Sequence, residues 1–234
     1  MTTETLAPER AATRDAVPFG GYAAVVGAAA LAACNGLTNW VLSQQTYETT
    51  ADMLEMIAAN RTVMLVADAL GLLAAILLVP GIWAVTQQLR QRTPVLAGIG
   101  GWLAASGYVA FMVLVVEGQV AMAVVDSGGD PSTYVDALDN HTSIVQLMVY
   151  VVFGIGGLLG PLVLGVAMLR QRDVYPAWAG AALVASPLVR MGGLALGVHV
   201  LPAVASLLMA AAFAVVLLRR AAPAPAADAG SPGA

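Results

Sequence analysis

Long apolar runs alternate with short polar segments along almost the whole chain. Six runs follow a polar segment at residues 1–17, and each is near or above the ~20 residues that an α-helix needs to cross a bilayer. Their predicted limits are 19–42, 62–86, 95–125, 143–169, 176–199 and 202–218. Residues 221–234 are rich in Pro, Ala and Gly, a composition typical of disorder. The pattern predicts an all-α protein, an integral membrane bundle of six transmembrane helices over residues 18–220 between two tails.

The composition supports a bilayer as the surrounding solvent. Of the 234 residues, 59% are hydrophobic and 10% are charged, whereas soluble domains carry about 25% charged residues. All 10 basic residues are Arg, and with so much Ala, Val and Gly the composition is typical of a GC-rich bacterium. The lack of Lys excludes a retinal protein, which needs a lysine for its Schiff base. The single Cys34 excludes an internal disulfide framework and a Cys-rich metal site.

The charges between the apolar runs predict how the helices are oriented. Arginines occur in the loops at 90–92 and 170–172, after the last run at 219–220, and in the N-terminal tail. The intervening loops are acidic and contain Glu48, Asp52, Glu55, Asp126, Asp130, Asp136 and Asp139. Because arginine-rich loops stay on the cytoplasmic side, both termini are predicted to be cytoplasmic and the acidic loops to lie outside. The predicted location is the bacterial cytoplasmic (inner) membrane.

Three local features have more than one interpretation. The segment TADMLEMIAAN at 50–60 is either an interfacial helix with Thr50 as its N-cap or an extension of the second span. LAAC at 31–34 matches a bacterial lipobox, but the tail before it lacks the positive charge of a signal peptide. Cys34 is therefore interpreted as a small packing residue. LRQR at 89–92 recurs at 169–172, which indicates either a duplicated helical hairpin or two convergent cytoplasmic turns.

Several polar side chains interrupt the apolar runs at a similar depth. An ionisable side chain at mid-helix costs roughly 2.5–3.5 kcal/mol and usually faces the bundle interior. Here these residues are Asp68, Glu117 and Arg190, and a rise of about 1.5 Å per residue places all three in the outer half. The sequence predicts a polar cluster that is open towards the outside. Its candidate residues are Asp68, Arg190, Glu117, Asn35 and Arg61.

Small residues predict which helix faces pack closely. Arg190, Gly193 and Gly197 share one face of the fifth run, so Arg190 is expected to point at a neighbouring helix. Gly193-x-x-x-Gly197 and Gly156-x-x-x-Gly160 are motifs that allow two helix backbones to approach closely. Such faces can also pack against a second copy of the chain, so a homo-oligomer is expected.

Two hypotheses compete for the polar cluster. In the structural hypothesis, Arg190 grips the Asp68 carboxylate in a bidentate way and holds the second and fifth spans in register. In the functional hypothesis, the two charges line an outward pocket with Glu117 and Asn35. That pocket takes an anionic or zwitterionic ligand, or forms a proton-coupled relay.

A metal-dependent hydrolase is the enzyme class that has to be considered, because the sequence contains two histidines in the outer portion. His141 and His199 are both predicted near the outer surface, but zinc catalysis usually uses three well-placed ligands. The chain has no His-x-x-x-His or His-Glu-x-x-His spacing, no phosphate loop and no nucleophile elbow. The sequence therefore predicts no catalytic residue, no metal and no cofactor.

Two segments carry a resemblance to a known family. FGIGGLLGPLVLGVAMLRQRDVYPAWAGAAL at 153–183 combines a Gly-rich span, a short basic turn and Pro-x-x-x-Gly. NRTVMLVADAL at 60–70 starts the second span with an Arg and an Asp. Together they resemble DUF4386, a bacterial six-helix membrane family of unknown function. The resemblance implies that fold over roughly residues 18–220 and draws interest to Arg61 and Asp68, but it implies no activity.

The sequence favours a non-enzymatic inner-membrane protein with a small outward-facing polar site. Such a protein is a sensor, an accessory subunit or a binder of lipid or another small molecule. The alternative is a small transporter or permease-like unit, and an intramembrane metal-dependent hydrolase comes third. The expected partners are the lipid bilayer, a lipid or small-molecule ligand and a second copy of the chain; nucleic acid is not expected.

Overall fold

A computed structural model describes residues 19–46, 49–129 and 131–221. The predicted N-terminal tail, and all but the first residue of the predicted C-terminal tail, lie outside these ranges. Within them the chain forms eight helices: α1 (Phe19–Leu42), α2 (Thr50–Ala59), α3 (Arg61–Leu89), α4 (Pro94–Asp126), α5 (Pro131–Asn140), α6 (Ile144–Leu169), α7 (Ala177–Leu196) and α8 (Leu201–Ala221).

Six of these helices, namely α1, α3, α4, α6, α7 and α8, are long and apolar enough to cross a membrane. This confirms the all-helical fold with six apolar helices and indicates a multi-pass membrane protein. The predicted limits agree closely with the observed ones, for example 95–125 against Pro94–Asp126. The prediction was wrong at the end of the fifth span, which stops at Leu196 instead of residue 199.

Gly197 explains this earlier helix end. Its φ angle is 66°, a left-handed conformation that glycine adopts readily and that commonly terminates helices. Gly193 is buried and packs against Leu201, since a Cβ on it would lie 2.5 Å from the Leu201 Cβ. The expected packing motif Gly193-x-x-x-Gly197 is therefore one packing glycine followed by one capping glycine.

The first acidic loop contains a separate short helix, α2, rather than an extension of the second span. Its N-cap is Thr49, one residue before the predicted Thr50. The Thr49 hydroxyl accepts a hydrogen bond from the Asp52 amide at 3.1 Å, and the Asp52 carboxylate accepts one from the Thr49 amide at 3.0 Å. This reciprocal pair is a capping box. Asn60, with φ −110° and ψ 28°, separates α2 from α3.

The six long helices form a ring that follows chain order. α1 packs on α3, α3 on α4, α4 on α6, α6 on α7 and α7 on α8, and α8 closes the ring against α1. In this ring α3 and α7 are not neighbours. The two helices that carry Asp68 and Arg190 therefore do not lie side by side.

Glycine and alanine line the closest helix contacts. A Cβ on Gly160 would lie 2.4 Å from the Ala104 backbone nitrogen, and one on Gly156 would lie 2.4 Å from the Leu103 carbonyl oxygen. The predicted Gly156-x-x-x-Gly160 face is thus in backbone contact with α4 inside the same chain. Larger apolar residues such as Trp102 are exposed on the outside, which is the arrangement expected when lipid surrounds the helices.

The two ends of the bundle differ in character. At the end where α3, α6 and α8 finish, the loops carry arginines, and we call it the arginine end. The opposite end carries the acidic loops, and we call it the acidic end. The half of the bundle next to the arginine end is filled by large, fully buried apolar side chains: Leu78, Ile82, Leu164, Met168, Leu183 and Phe213. The ionisable side chains within the spans, Asp68, Glu117 and Arg190, lie in the other half, whereas the buried Thr86 of α3 lies near the arginine end.

Candidate functional site

Ser206 joins three helices in the half of the bundle near the acidic end. Its Oγ accepts hydrogen bonds from Arg190 Nη2 of α7 and from Asn35 Nδ2 of α1, each at 2.9 Å. Its own hydroxyl donates to the carbonyl oxygen of Pro202, one helical turn earlier, at 3.1 Å. Ser206 is completely buried. One small hydroxyl group therefore fixes the positions of Asn35 and Arg190.

Arg190 is half-buried and has no carboxylate partner in the part of the chain that the structure describes. A guanidinium group offers five N–H donors, and Ser206 takes one of them. The described residues contain two ion pairs, Arg61 with Asp126 and Arg92 with Asp173. The expected bidentate pair between Asp68 and Arg190 is not formed, because their helices are not neighbours in the ring.

Asp68 has a different partner, the Gln119 side chain of α4, whose amide donates to the Asp68 carboxylate. Cys34 of α1 is the residue before Asn35, which donates to Ser206. Its Sγ also lies 3.1 Å from where a Cβ on Gly71 would be, one turn after Asp68. The buried Cys34 therefore packs against α3 one turn from Asp68.

We call the group formed by these side chains the polar site. It consists of Asn35, Cys34, Asp68, Gln119, Arg190 and Ser206. Four of its members, Asn35, Asp68, Arg190 and Ser206, lie within about two turns of the acidic end of their helices. These four side chains therefore share a depth in the bundle, but the pairing inside the site is not the one expected.

Glu117 belongs to a separate group between α4, α5 and α6. Its carboxylate accepts hydrogen bonds from the Gln146 amide and from the Tyr150 hydroxyl, the latter at 3.0 and 3.1 Å. The hydroxyl of Tyr134 on α5 donates to the Glu117 carbonyl oxygen at 3.4 Å. Burial, and then the nearby negative charge of Glu117, raise the pKa of Tyr134. Glu117 thus anchors α5 and α6 to α4 and does not join the polar site.

Arg61 lies at the acidic end, where it forms an ion pair of 2.5 Å with Asp126. Both residues line a cavity of about 200 Å³ that also reaches Gln119. Gln119 in turn holds the Asp68 carboxylate. Gln119 therefore links the Asp68 carboxylate to a cavity at the acidic end that Arg61 also lines.

The two histidines do not come together in a site. His141 is exposed between α5 and α6, whereas His199 lies in the turn between α7 and α8, beside Asn39 and Trp40. Over residues 19–46, 49–129 and 131–221, no three His, Cys, Asp or Glu side chains form a group that could hold a metal ion. The described geometry gives the hydrolase hypothesis no support.

Of the five predicted site residues, the structure joins Asn35 and Arg190 through Ser206 and places Asp68 nearby. Glu117 and Arg61 belong to two other groups. Sequence reasoning missed Ser206 and Gln119, and the amide of Gln119 inside an apolar run was an available signal. No protein-family model, curated protein or solved structure matches the chain. The resemblance to DUF4386 therefore stays a prediction, and function is inferred from the site alone.

Proposed function

We propose that this multi-pass membrane protein binds a small zwitterionic or anionic group, carried by a metabolite or a lipid headgroup, at the polar site. One observation carries the proposal: Arg190 is half-buried among apolar helices and has a single neutral hydrogen-bond partner among the described residues. A charge in such surroundings is costly unless it is paired. An anionic ligand group would supply the missing partner and use the remaining guanidinium donors.

The position of Asp68 favours a zwitterion over a simple anion. Asp68 lies one turn before Gly71, which packs against Cys34, and Arg190 shares Ser206 with Asn35, the residue after Cys34. The two charges form no ion pair with each other. A ligand with an anionic group towards Arg190 and an ammonium group towards Asp68 would neutralise both. The Asp68 carboxylate retains acceptor capacity beyond the bond from Gln119, because a carboxylate accepts about four hydrogen bonds.

The proposed orientation places the polar site in the outer half of a bacterial inner membrane, with both termini in the cytoplasm. Arginines cluster at one end of the bundle and acidic residues at the other, as the positive-inside rule requires. The cavity beside Arg61 and Asp126 then opens to the outside. Large buried apolar side chains pack the interior between the polar site and the arginine end, which favours a binding or sensing role over transport, because transport needs access from both sides.

Mass spectrometry of molecules that co-purify with the protein tests this proposal. Wild type is expected to retain a zwitterionic or anionic molecule that Arg190→Gln loses by at least about tenfold, since a hydrogen bond to a charged group contributes about 1.5–3 kcal/mol. Arg190→Lys, which keeps the charge but not the planar fork, is expected to retain an intermediate amount.

The matched control is Arg172→Gln, which removes an exposed arginine at the other end of the bundle. It should retain the same bound molecule as wild type. Identical sets of bound molecules in wild type, Arg190→Gln and Arg172→Gln would rule out the polar site as a binding site.

A further inference from the structure

A second polar cavity, of about 310 Å³, lies at the arginine end, in the half of the bundle opposite the polar site. The last turn of α3, the loop between α6 and α7 and the end of α8 enclose it. Its lining residues are Gln87, Gln88, Gln91, Val174, Tyr175 and Arg219. We call it the arginine-end cavity. The proposed ligand of the polar site makes no use of it.

Buried hydrogen bonds hold the walls of this cavity in place. The amide of Gln171, which is only 3% exposed, donates to the Leu89 carbonyl oxygen at 2.9 Å and to the Thr93 hydroxyl at 2.8 Å. The hydroxyl of the buried Tyr175 donates to Gln88 Oε1 at 3.5 Å. These bonds tie the α6–α7 loop to the end of α3. The cavity is therefore a built feature and not a gap between loose loops.

The lining of the arginine-end cavity is rich in hydrogen-bond donors and contains no carboxylate. Among the described residues Arg219 has no ion-pair partner, and the side chains of Gln87 and Gln91 make no hydrogen bond. Nearby, Arg92 is ion-paired with Asp173, two residues before Tyr175, so Arg219 is the cation of the lining that has no such partner among the described residues. Free donors around one unpaired cation favour an anion with several acceptor oxygens.

We propose that the arginine-end cavity binds the phosphate group of an anionic ligand, and that a phospholipid headgroup is its source. Phosphate oxygens accept charge-assisted hydrogen bonds from arginine and further bonds from side-chain amides. The cavity lies where α3 and α8 leave the apolar zone, the depth at which basic pockets between helices bind lipid headgroups. Free phosphate shares this chemistry, so the experiment has to separate the two sources.

The surroundings of the cavity favour the lipid. Gln88 also borders the apolar surface of α1, α3 and α8, at a crevice of about 10 Å³ that it lines with Gly21, Ala84 and Phe213. The crevice is too small to admit an acyl chain, but a headgroup in the cavity would place its first acyl carbons at the apolar edge that the crevice marks. Inorganic phosphate would leave that surface unused.

Isothermal titration calorimetry on the full chain in an uncharged detergent tests the proposal. The probes are a short-chain phosphatidylglycerol, a short-chain phosphatidylcholine and inorganic phosphate, at one ionic strength because salt screens exposed charges. Wild type is expected to bind phosphatidylglycerol in preference to phosphatidylcholine. Arg219→Gln should weaken that binding at least about fivefold, and Arg219→Lys should restore part of it.

Arg170→Gln is the control, since Arg170 is exposed at the same end but does not line the cavity. It should change the affinity less than about twofold, the size expected of a distant screened charge. If Arg219→Gln loses affinity and Arg170→Gln does not, the phosphate site is supported. The probe whose affinity falls, phosphatidylglycerol or inorganic phosphate, identifies the source as lipid or free phosphate. Equal weakening by Arg219→Gln and Arg170→Gln, or binding of neither phosphatidylglycerol nor phosphate, would overturn the proposal.

Discussion

Replacing Ser206 by alanine is expected to destabilise the protein by about 2–3 kcal/mol and to lower its apparent melting temperature by roughly 5–10 °C. The change removes the one oxygen that accepts from both Arg190 and Asn35. The partly buried side chains of Arg190 and Asn35 then lose that hydrogen-bond partner, and each lost bond of this kind costs about 1–3 kcal/mol. Thermal unfolding in detergent, followed by circular dichroism, measures the effect.

Ser106→Ala provides the matched control for Ser206→Ala. Ser106 also lies inside a long apolar helix, α4, but its side chain makes no hydrogen bond within the described residues. Its replacement should leave the melting temperature within about 1–2 °C of wild type, as for a surface-type change of less than ~0.5 kcal/mol. If Ser206→Ala has the same melting temperature as Ser106→Ala, then Ser206 does not join α1, α7 and α8 in the way described.

Adding a single methyl group at Gly160 is expected to have a comparably large effect. A Cβ there would lie 2.4 Å from the Ala104 backbone nitrogen and 2.6 Å from its Cβ, so α4 and α6 would have to separate. Overpacking of this kind costs about 1–3 kcal/mol. The better helix propensity of alanine offsets at most about 1 kcal/mol of that cost. Because the packing cost exceeds the gain in helix propensity, the melting temperature of Gly160→Ala should be lower than that of wild type.

Gly154→Ala on the same helix separates packing from helix propensity. A Cβ at Gly154 would meet nothing within 4 Å, so this change gains helix propensity without a clash. We expect its melting temperature to equal or exceed that of wild type. A Gly160→Ala protein as stable as Gly154→Ala would mean that α4 and α6 are not in backbone contact at this point.

The fold was largely predictable because a bilayer leaves the chain few choices. Backbone groups in hydrocarbon must be satisfied internally, so a sufficiently long apolar run has to be helical and its length fixes its limits. The prediction failed at Gly197 because the same residue type serves two purposes. Glycine packs helices together and also caps them, and the sequence does not distinguish a buried Gly193 from a left-handed Gly197.

The site was predictable in depth but not in its contacts. The fixed rise of a helix placed Asn35, Asp68 and Arg190 near the same end, and in the structure each lies within about two turns of the acidic end of its helix. Which side chains meet depends on the order of helices around the ring, which hydropathy does not encode. Because α3 and α7 are not adjacent, the attractive pair of opposite charges is not formed. Ser206 was missed because a lone serine in an apolar helix has no distinctive pattern.

The central structural claim is that Asp68 and Arg190 are separate charges, which leaves both available to a ligand. A double-mutant cycle tests it most directly, with free energies of unfolding measured by denaturing-detergent titration on protein stripped of co-purified molecules. The four proteins are wild type, Asp68→Asn, Arg190→Gln and the double variant. Separate charges predict that the two effects add to within about 0.5 kcal/mol. A coupling energy above about 1 kcal/mol, with the double variant recovering much of the lost stability, would show that the two residues form an ion pair and contradict the claim.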